Sequence, residues 1–381
     1  MAIKKQAAAV MAVLAAVLLT TGRAEATNSW TVESTPDAST YVNNLFGVSC
    51  PTSTYCMAVG SDLSSTKPIG YTLAEQWTAG VWSIIPTPST PGDQSELVSV
   101  SCRSAKFCMA VGDEHPHGPG VILAERWNGS VWTATDITGP MESGLTAVSC
   151  PTASTCTAVG DSLGTDASLI YRWNGSTWTA QTAVTLPDYE ENQLYGVSCP
   201  TTSACVAVGS YFGPSSTFVL VERWNGSSWT LQTIPHPAGV KSSQFQSVSC
   251  VSAAVCTAVG SSVTGANVTI PRAERSNGNT WALQPTPTPT SSPYNLNLAG
   301  VSCPTSKDCT AVGSYSTNSS NNFAYAELWN GTAWVLQSVP TPSGDMGALL
   351  YQSSCSAPTA CTGVGTVSTT SSQIVLAERY S

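Results

Sequence analysis

Residues 47–60 read Gly47-Val48-Ser49-Cys50-Pro51-Thr52-Ser53-Thr54-Tyr55-Cys56-Met57-Ala58-Val59-Gly60, an apolar run, a short polar turn flanked by cysteines, and a second apolar run ending on glycine. The pattern starts again at Cys102, Cys150, Cys199, Cys250, Cys303 and Cys355, each with a partner six residues on at Cys108, Cys156, Cys205, Cys256, Cys309 and Cys361. Fourteen cysteines thus fall into seven Cys-x5-Cys pairs, spaced 48 to 53 residues apart, with none left over. Self-similarity at such a period is the signature of a repeat architecture.

The other half of each unit is a second hairpin, clearest in Leu123-Ala124-Glu125-Arg126-Trp127-Asn128-Gly129-Ser130-Val131-Trp132. Asn-Gly between aromatic-rich runs signals a tight hairpin, and a type I′ turn needs positive φ at both central residues. Each unit therefore carries four short strands. The fold class expected is all-β, a seven-bladed β-propeller of four-stranded blades. A solenoid is the alternative, but it calls for atypical capping repeats, which the sequence lacks.

The seventh unit stops at Ala377-Glu378-Arg379-Tyr380-Ser381, where its Asn-Gly turn and fourth strand should follow. Asn28-Ser29-Trp30-Thr31 supplies a matching strand at the other end, with Trp30 and Pro36 spaced as are Trp229 and Pro235. Half a blade at each end closes a ring and leaves no unpaired edge.

Residues 1–26 read as an export signal, with Lys4 and Lys5 ahead of an apolar stretch from Ala7 to Leu19 and a small-residue cleavage pattern at Ala24-Glu25-Ala26. Residues 27–381 are then one propeller domain, secreted and without a membrane span. Removing Lys4, Lys5, Arg23 and Glu25 moves the formal charge from −9 to −11. An acidic chain without a basic run is a poor partner for nucleic acid. A monomer is expected.

Residues repeated in every unit are read as framework. Paired tryptophans such as Trp224 and Trp229 should share one sheet face and fill the wedge between blades, with sugar-stacking platforms as the alternative. Glu125-Arg126, Glu222-Arg223, Glu274-Arg275 and Glu378-Arg379 should bridge adjacent strands or blades. Export favours local disulfides over a metal site at the cysteine pairs. The Asn-Gly-Ser/Thr triplets at Asn128, Asn174, Asn225 and Asn330 match a glycosylation sequon but are read as turns.

On these motifs the unit resembles secreted bacterial propeller repeats, of a kind often found in actinobacteria, that carry Val-Ser-Cys-Pro, Cys-x-Ala-Val-Gly and Trp-Asn-Gly-x-x-Trp. It is also similar to sialidase-type and photosystem-assembly-factor-type propellers. The resemblance spans residues 28 to 381 and implies the fold, whereas such propellers include glycosidases, lyases, lectins and assembly factors. It does not carry the sialidase site across: Arg126, Arg172, Arg223, Arg275 and Arg379 sit in the framework, leaving Arg103 and Arg272 where an arginine cluster is needed.

Variation concentrates in the loops joining strands two to three and blade to blade, which share one face. Candidate binding residues there are Asp113 and Glu114; Asp188, Tyr189, Glu190 and Glu191 with Tyr195; and Tyr211 and Tyr315. His115 and His117 beside those carboxylates are candidate metal ligands. No cofactor is called for, and a loop-bound or channel-bound metal ion is the one inorganic partner the sequence allows. The reading is a non-catalytic extracellular binding or scaffold protein recognising a glycan or a protein. A carbohydrate-active hydrolase or lyase using loop carboxylates is the alternative.

Overall fold

The computed structural model describes residues 28–381 except 40, 65–66, 89–93, 116–120, 136, 141, 163–164, 166, 187–190, 214–215, 291–294, 319–320 and 343–345; residues 64, 67–69 and 115 are described by their backbone alone. Every regular element among the described residues is a β-strand. None is a helix long and apolar enough to cross a membrane.

Five four-stranded antiparallel sheets and one eight-stranded sheet contain these strands. In repeat three, strands Ser143–Thr152, Thr155–Ser162, Ala167–Trp173 and Trp178–Gln181 pair in chain order. The eight-stranded sheet holds the four strands of repeat one, the three of repeat seven, and Trp30–Glu33. Its two halves are joined by a single parallel bridge, Val42 to Gln373. Trp30–Glu33 pairs antiparallel with Gln373–Tyr380, with Trp30 opposite Tyr380 and Glu33 opposite Ala377.

All seven cysteine pairs are disulfides joining residues six apart, and no free cysteine remains. The serine before the first cysteine has a role that spacing alone does not reveal. Its hydroxyl accepts the backbone N–H of the first cysteine in the next repeat: Ser49 from Cys102, Ser101 from Cys150, Ser149 from Cys199 and Ser198 from Cys250, at 2.9 to 3.0 Å. The series continues through Ser249 with Cys303 and Ser302 with Cys355, and Ser354 accepts from Cys50 at 2.9 Å.

The glycine ending each Ala-Val-Gly run faces a bulge in strand one, such as the register shift between Leu45 and Gly47. A Cβ on Gly60 would lie 1.8 Å from the Asn44 carbonyl oxygen, and on Gly365 1.8 Å from that of Leu349. No side chain fits without moving backbone. Gly365→Ala is therefore expected to lower stability by roughly 2–4 kcal/mol, measured by urea unfolding.

Paired tryptophans do share a face. Trp127 lies opposite Trp132 with ring centroids 5.7 Å apart, and both are buried against Tyr55 and Met57 of the preceding repeat. The Asn-Gly turn differs from expectation. Of its residues only glycine has positive φ, as at Gly129 (102°). Asn128 Oδ1 accepts the N–H groups of Ser130 and Val131, so the central pair is Gly-Ser, with the positive φ at the first position as in a type II′ turn. The type I′ signature occurs instead in repeat one, where Ala79 (54°) and Gly80 (92°) are both positive.

The Glu-Arg pairs also divide their work, because consecutive strand residues point to opposite faces. The arginines bridge repeats. Arg172 donates to the Thr202 carbonyl (2.6 Å), Arg275 to Ser306 (2.7 Å) and Arg379 to Ser53 (3.3 Å), and Arg379 stacks over Trp77 at 3.8 Å. The glutamates turn inward and do not pair with those arginines. Glu75, Glu222, Glu274, Glu327 and Glu378 are completely buried, and Glu125 nearly so. Several anchor the connection that enters their own repeat: Glu222 accepts the Val184 N–H at 3.1 Å, and Tyr325 bonds both Glu327 and the Pro287 carbonyl. The Pro285–Pro289 run is thereby tied to repeat six.

Candidate functional site

Because strands two end and strands one begin at the variable face, the residues after each Ala-Val-Gly glycine gather there. In repeats two and three these are Asp113 and Asp161. Asp161 does not stand out in the sequence, yet it joins two residues that do. Burial holds its carboxyl above the usual carboxylate range, and the charges of Glu191 from repeat four and Asp113 from repeat two add to the effect. Asp113 reaches the repeat-three side of its strand, where a Cβ on Gly144 would sit 3.3 Å from its own Cβ.

A hydrogen-bonded chain leads away from this acidic group. Ser210 donates to the Tyr195 hydroxyl at 3.5 Å, Tyr195 to Gln193, and Gln193 to Glu191 at 2.6 Å. Burial raises the Tyr195 hydroxyl's pKa. Tyr195 also borders an inner cavity of about 440 Å³ lined by strand-one residues of all seven repeats, from Gly47 in the first to Ser354 in the last.

Glu114 is turned away from Asp113 and acts by charge on the buried Glu125. Tyr211 stacks on Phe218 at 5.3 Å, and Phe218 meets the His236 ring at 5.4 Å. Asp188, Tyr189, Glu190, His117 and the side chain of His115 lie outside the described residues. Among the described residues no group of three His, Cys, Asp or Glu side chains is placed to hold a metal ion.

In a second region sequence reasoning singles out only Tyr315, because the other described residues are small or uncharged. A cavity of about 460 Å³ opens between the strand ends of repeats four, five and six. It is lined by amide residues (Gln244, Asn295, Asn297, Asn322), by serines and threonines, and by Val263 and Tyr315. Tyr315 stacks on Phe323 at 5.2 Å and meets Tyr325 edge-on at 6.3 Å, so its ring is fixed in the wall. Reading the residues on either side of each strand-one bulge and strand-two glycine, repeat by repeat, would have assembled this set. A search for ionisable groups passes over it.

YCF48 bound to a D1 peptide is a similar solved structure, with a TM-score of 0.56 over 93% of this chain and 96% of that one at 13% identity. The chain has a β-propeller fold. A protein of unknown function from Dyadobacter fermentans is more distant, at 9% identity and a TM-score of 0.47 over 92% of this chain and 97% of its own. No family model matches the chain, and no curated protein does.

Proposed function

We propose that this propeller is a secreted, monomeric, non-catalytic recognition protein that binds a glycan or protein partner through the face carrying its variable loops. In this reading residues 27–381 form seven blades, and the eight-stranded sheet is two blades in contact. Trp30–Glu33 completes the seventh blade and closes the ring. The cyclic series of Ser-to-Cys hydrogen bonds and the inner cavity bordered by every repeat support that closure. Seven disulfides without a free thiol support an oxidising compartment.

The observation that carries the functional reading is the division of labour between residues. Tryptophans, arginines, cysteines and the Val-Ser-Cys serines are engaged within the scaffold. The variable face holds an open amide-lined cavity beside an acidic group, to which we assign Asp188, Tyr189 and Glu190 as well. Concave sites of a few hundred Å³ with convergent polar groups are the usual form of a binding site. YCF48, a propeller of the same fold, is seen with a bound peptide. No partner need be a nucleic acid, and no cofactor is invoked.

The test is an array of glycans and peptides probed with the chain beginning at Thr27, alongside an assay for released reducing sugar. Binding without turnover is expected. It should fall at least tenfold when the variable face is altered by Asp161→Lys with Ser316→Arg, and persist when the opposite face is altered by Ser130→Arg. Sugar release abolished by Asp161→Asn would replace this reading with the hydrolase one.

A further inference from the structure

We infer that the cavity between repeats four, five and six binds the end of an uncharged oligosaccharide; the inference rests on recognition through the variable face and assigns a ligand class to one part of it. The chemistry of the wall points to that class. A sugar hydroxyl both donates and accepts, and a side-chain amide or hydroxyl answers both roles where a carboxylate or ammonium answers one. Gln244 comes from repeat five and Asn295, Asn297 and Asn322 from repeat six, so amide-bearing residues border the space on two sides. Among the described residues no acidic or basic side chain lines it, which leaves a uronate, a sialate, a phosphate or a cation without a counter-charge there.

Tyr315 adds the apolar component. A rigid aromatic ring with a polar end is suited to the C–H face of a sugar.

The acidic group around Asp161 occupies repeats two to four, so the two halves of the variable face differ in charge. Anionic sugars are therefore disfavoured twice, by a pocket with no cation among its described residues and by negative potential beside it.

The experiment is isothermal titration of the chain beginning at Thr27 with cello-, manno- and chito-oligosaccharides, with oligogalacturonate as the anionic control. A neutral glycan released from a glycoprotein is the fourth ligand, to distinguish a polysaccharide source from a glycoprotein source. At least one neutral ligand should bind and oligogalacturonate should not. Asn322→Ala should weaken that binding at least tenfold without changing the melting temperature, Tyr315→Ala should do so at a temperature where the variant remains folded, and Asn297→Asp should do so more strongly at pH 7 than at pH 4. Preferential binding of oligogalacturonate, no binding of any neutral ligand, or neutral binding indifferent to Tyr315 and Asn322 overturns the assignment. If peptide binding on the array still depends on the variable face, only the sugar assignment falls and the recognition reading stands.

Discussion

The melting temperature of this protein is expected to fall by about 10 °C or more between pH 5 and pH 9. The cause is the row of inward glutamates. Burial pushes the Glu75, Glu125 and Glu378 carboxyls up to about 8, Glu222 to about 7 and Glu327 to about 9, from an ordinary value of 4.5. Neighbouring charge adds to burial at two of them, from Asp37 beside Glu75 and Glu114 beside Glu125. Glu274 is raised by the same burial, opposed by Arg272.

With the folded pKa above the unfolded one, the folded chain holds protons between pH 4.5 and 7 to 9 that the unfolded chain has released. The stabilisation is complete below pH 4.5 and is lost as the pH rises through the folded values. For a single carboxyl, a tenfold difference in acidity between the folded and unfolded chain corresponds to about 1.4 kcal/mol, and 1 kcal/mol moves the melting temperature of a large domain by roughly 2 °C. Several groups titrating together give the expected fall. Repeat three already carries a neutral substitute, since Tyr171 replaces the glutamate and donates to the Thr138 carbonyl at 3.2 Å. Glu327→Gln should accordingly flatten the profile by raising stability at pH 9. Scanning calorimetry at pH 5, 7 and 9 checks both, and a melting temperature that is flat or rises with pH would contradict the assignment of neutral buried carboxyls.

The repeat, the pairing of cysteines and the matching terminal half-units are legible because they depend on spacing, and spacing survives in a linear string. What is not legible depends on which atoms meet. Asn-Gly marks a hairpin, but the type I′ turn it suggests does not form, because the Asn128 side chain, and not its backbone, supplies the turn's acceptor. Glu125 and Arg126 look like a pair, whereas strand alternation sends one into the interior and the other toward the next repeat. The serine of Val-Ser-Cys passes for an ordinary strand residue until its partner in the following repeat is seen.

The same distinction applies to the site. Asp113, Glu191 and Tyr195 stand out as polar or aromatic residues in variable segments, and the fold brings them near one another. Asp161 completes their group from a third repeat and is visible only once repeats two, three and four are placed side by side. The amide-lined cavity draws on residues up to 105 positions apart, from Thr217 to Asn322, and apart from Tyr315 each is inconspicuous in a chain rich in Ser, Thr and Asn.

Closure of the seventh blade by the N-terminal strand is the claim on which the architecture rests. Trp30 is 4% exposed, lies opposite Tyr380 with ring centroids 5.7 Å apart, and packs in one cluster with Leu350 and Leu376. Glu33 accepts from Trp82 of repeat one at 3.2 Å and pairs with Arg379 of repeat seven at 3.6 Å, so this short strand holds both neighbours. Removing residues 28–34 exposes the edge of Gln373–Tyr380 and strips the partner from a buried aromatic. Loss of a buried tryptophan alone costs about 3–5 kcal/mol, and a bare strand edge invites association between chains. The direct measurement is the melting temperature of a chain beginning at Thr35 against one beginning at Thr27. A fall of about 10 °C, accompanied by a concentration-dependent tendency to associate, is the result expected from a closed ring; an unchanged melting temperature would contradict it.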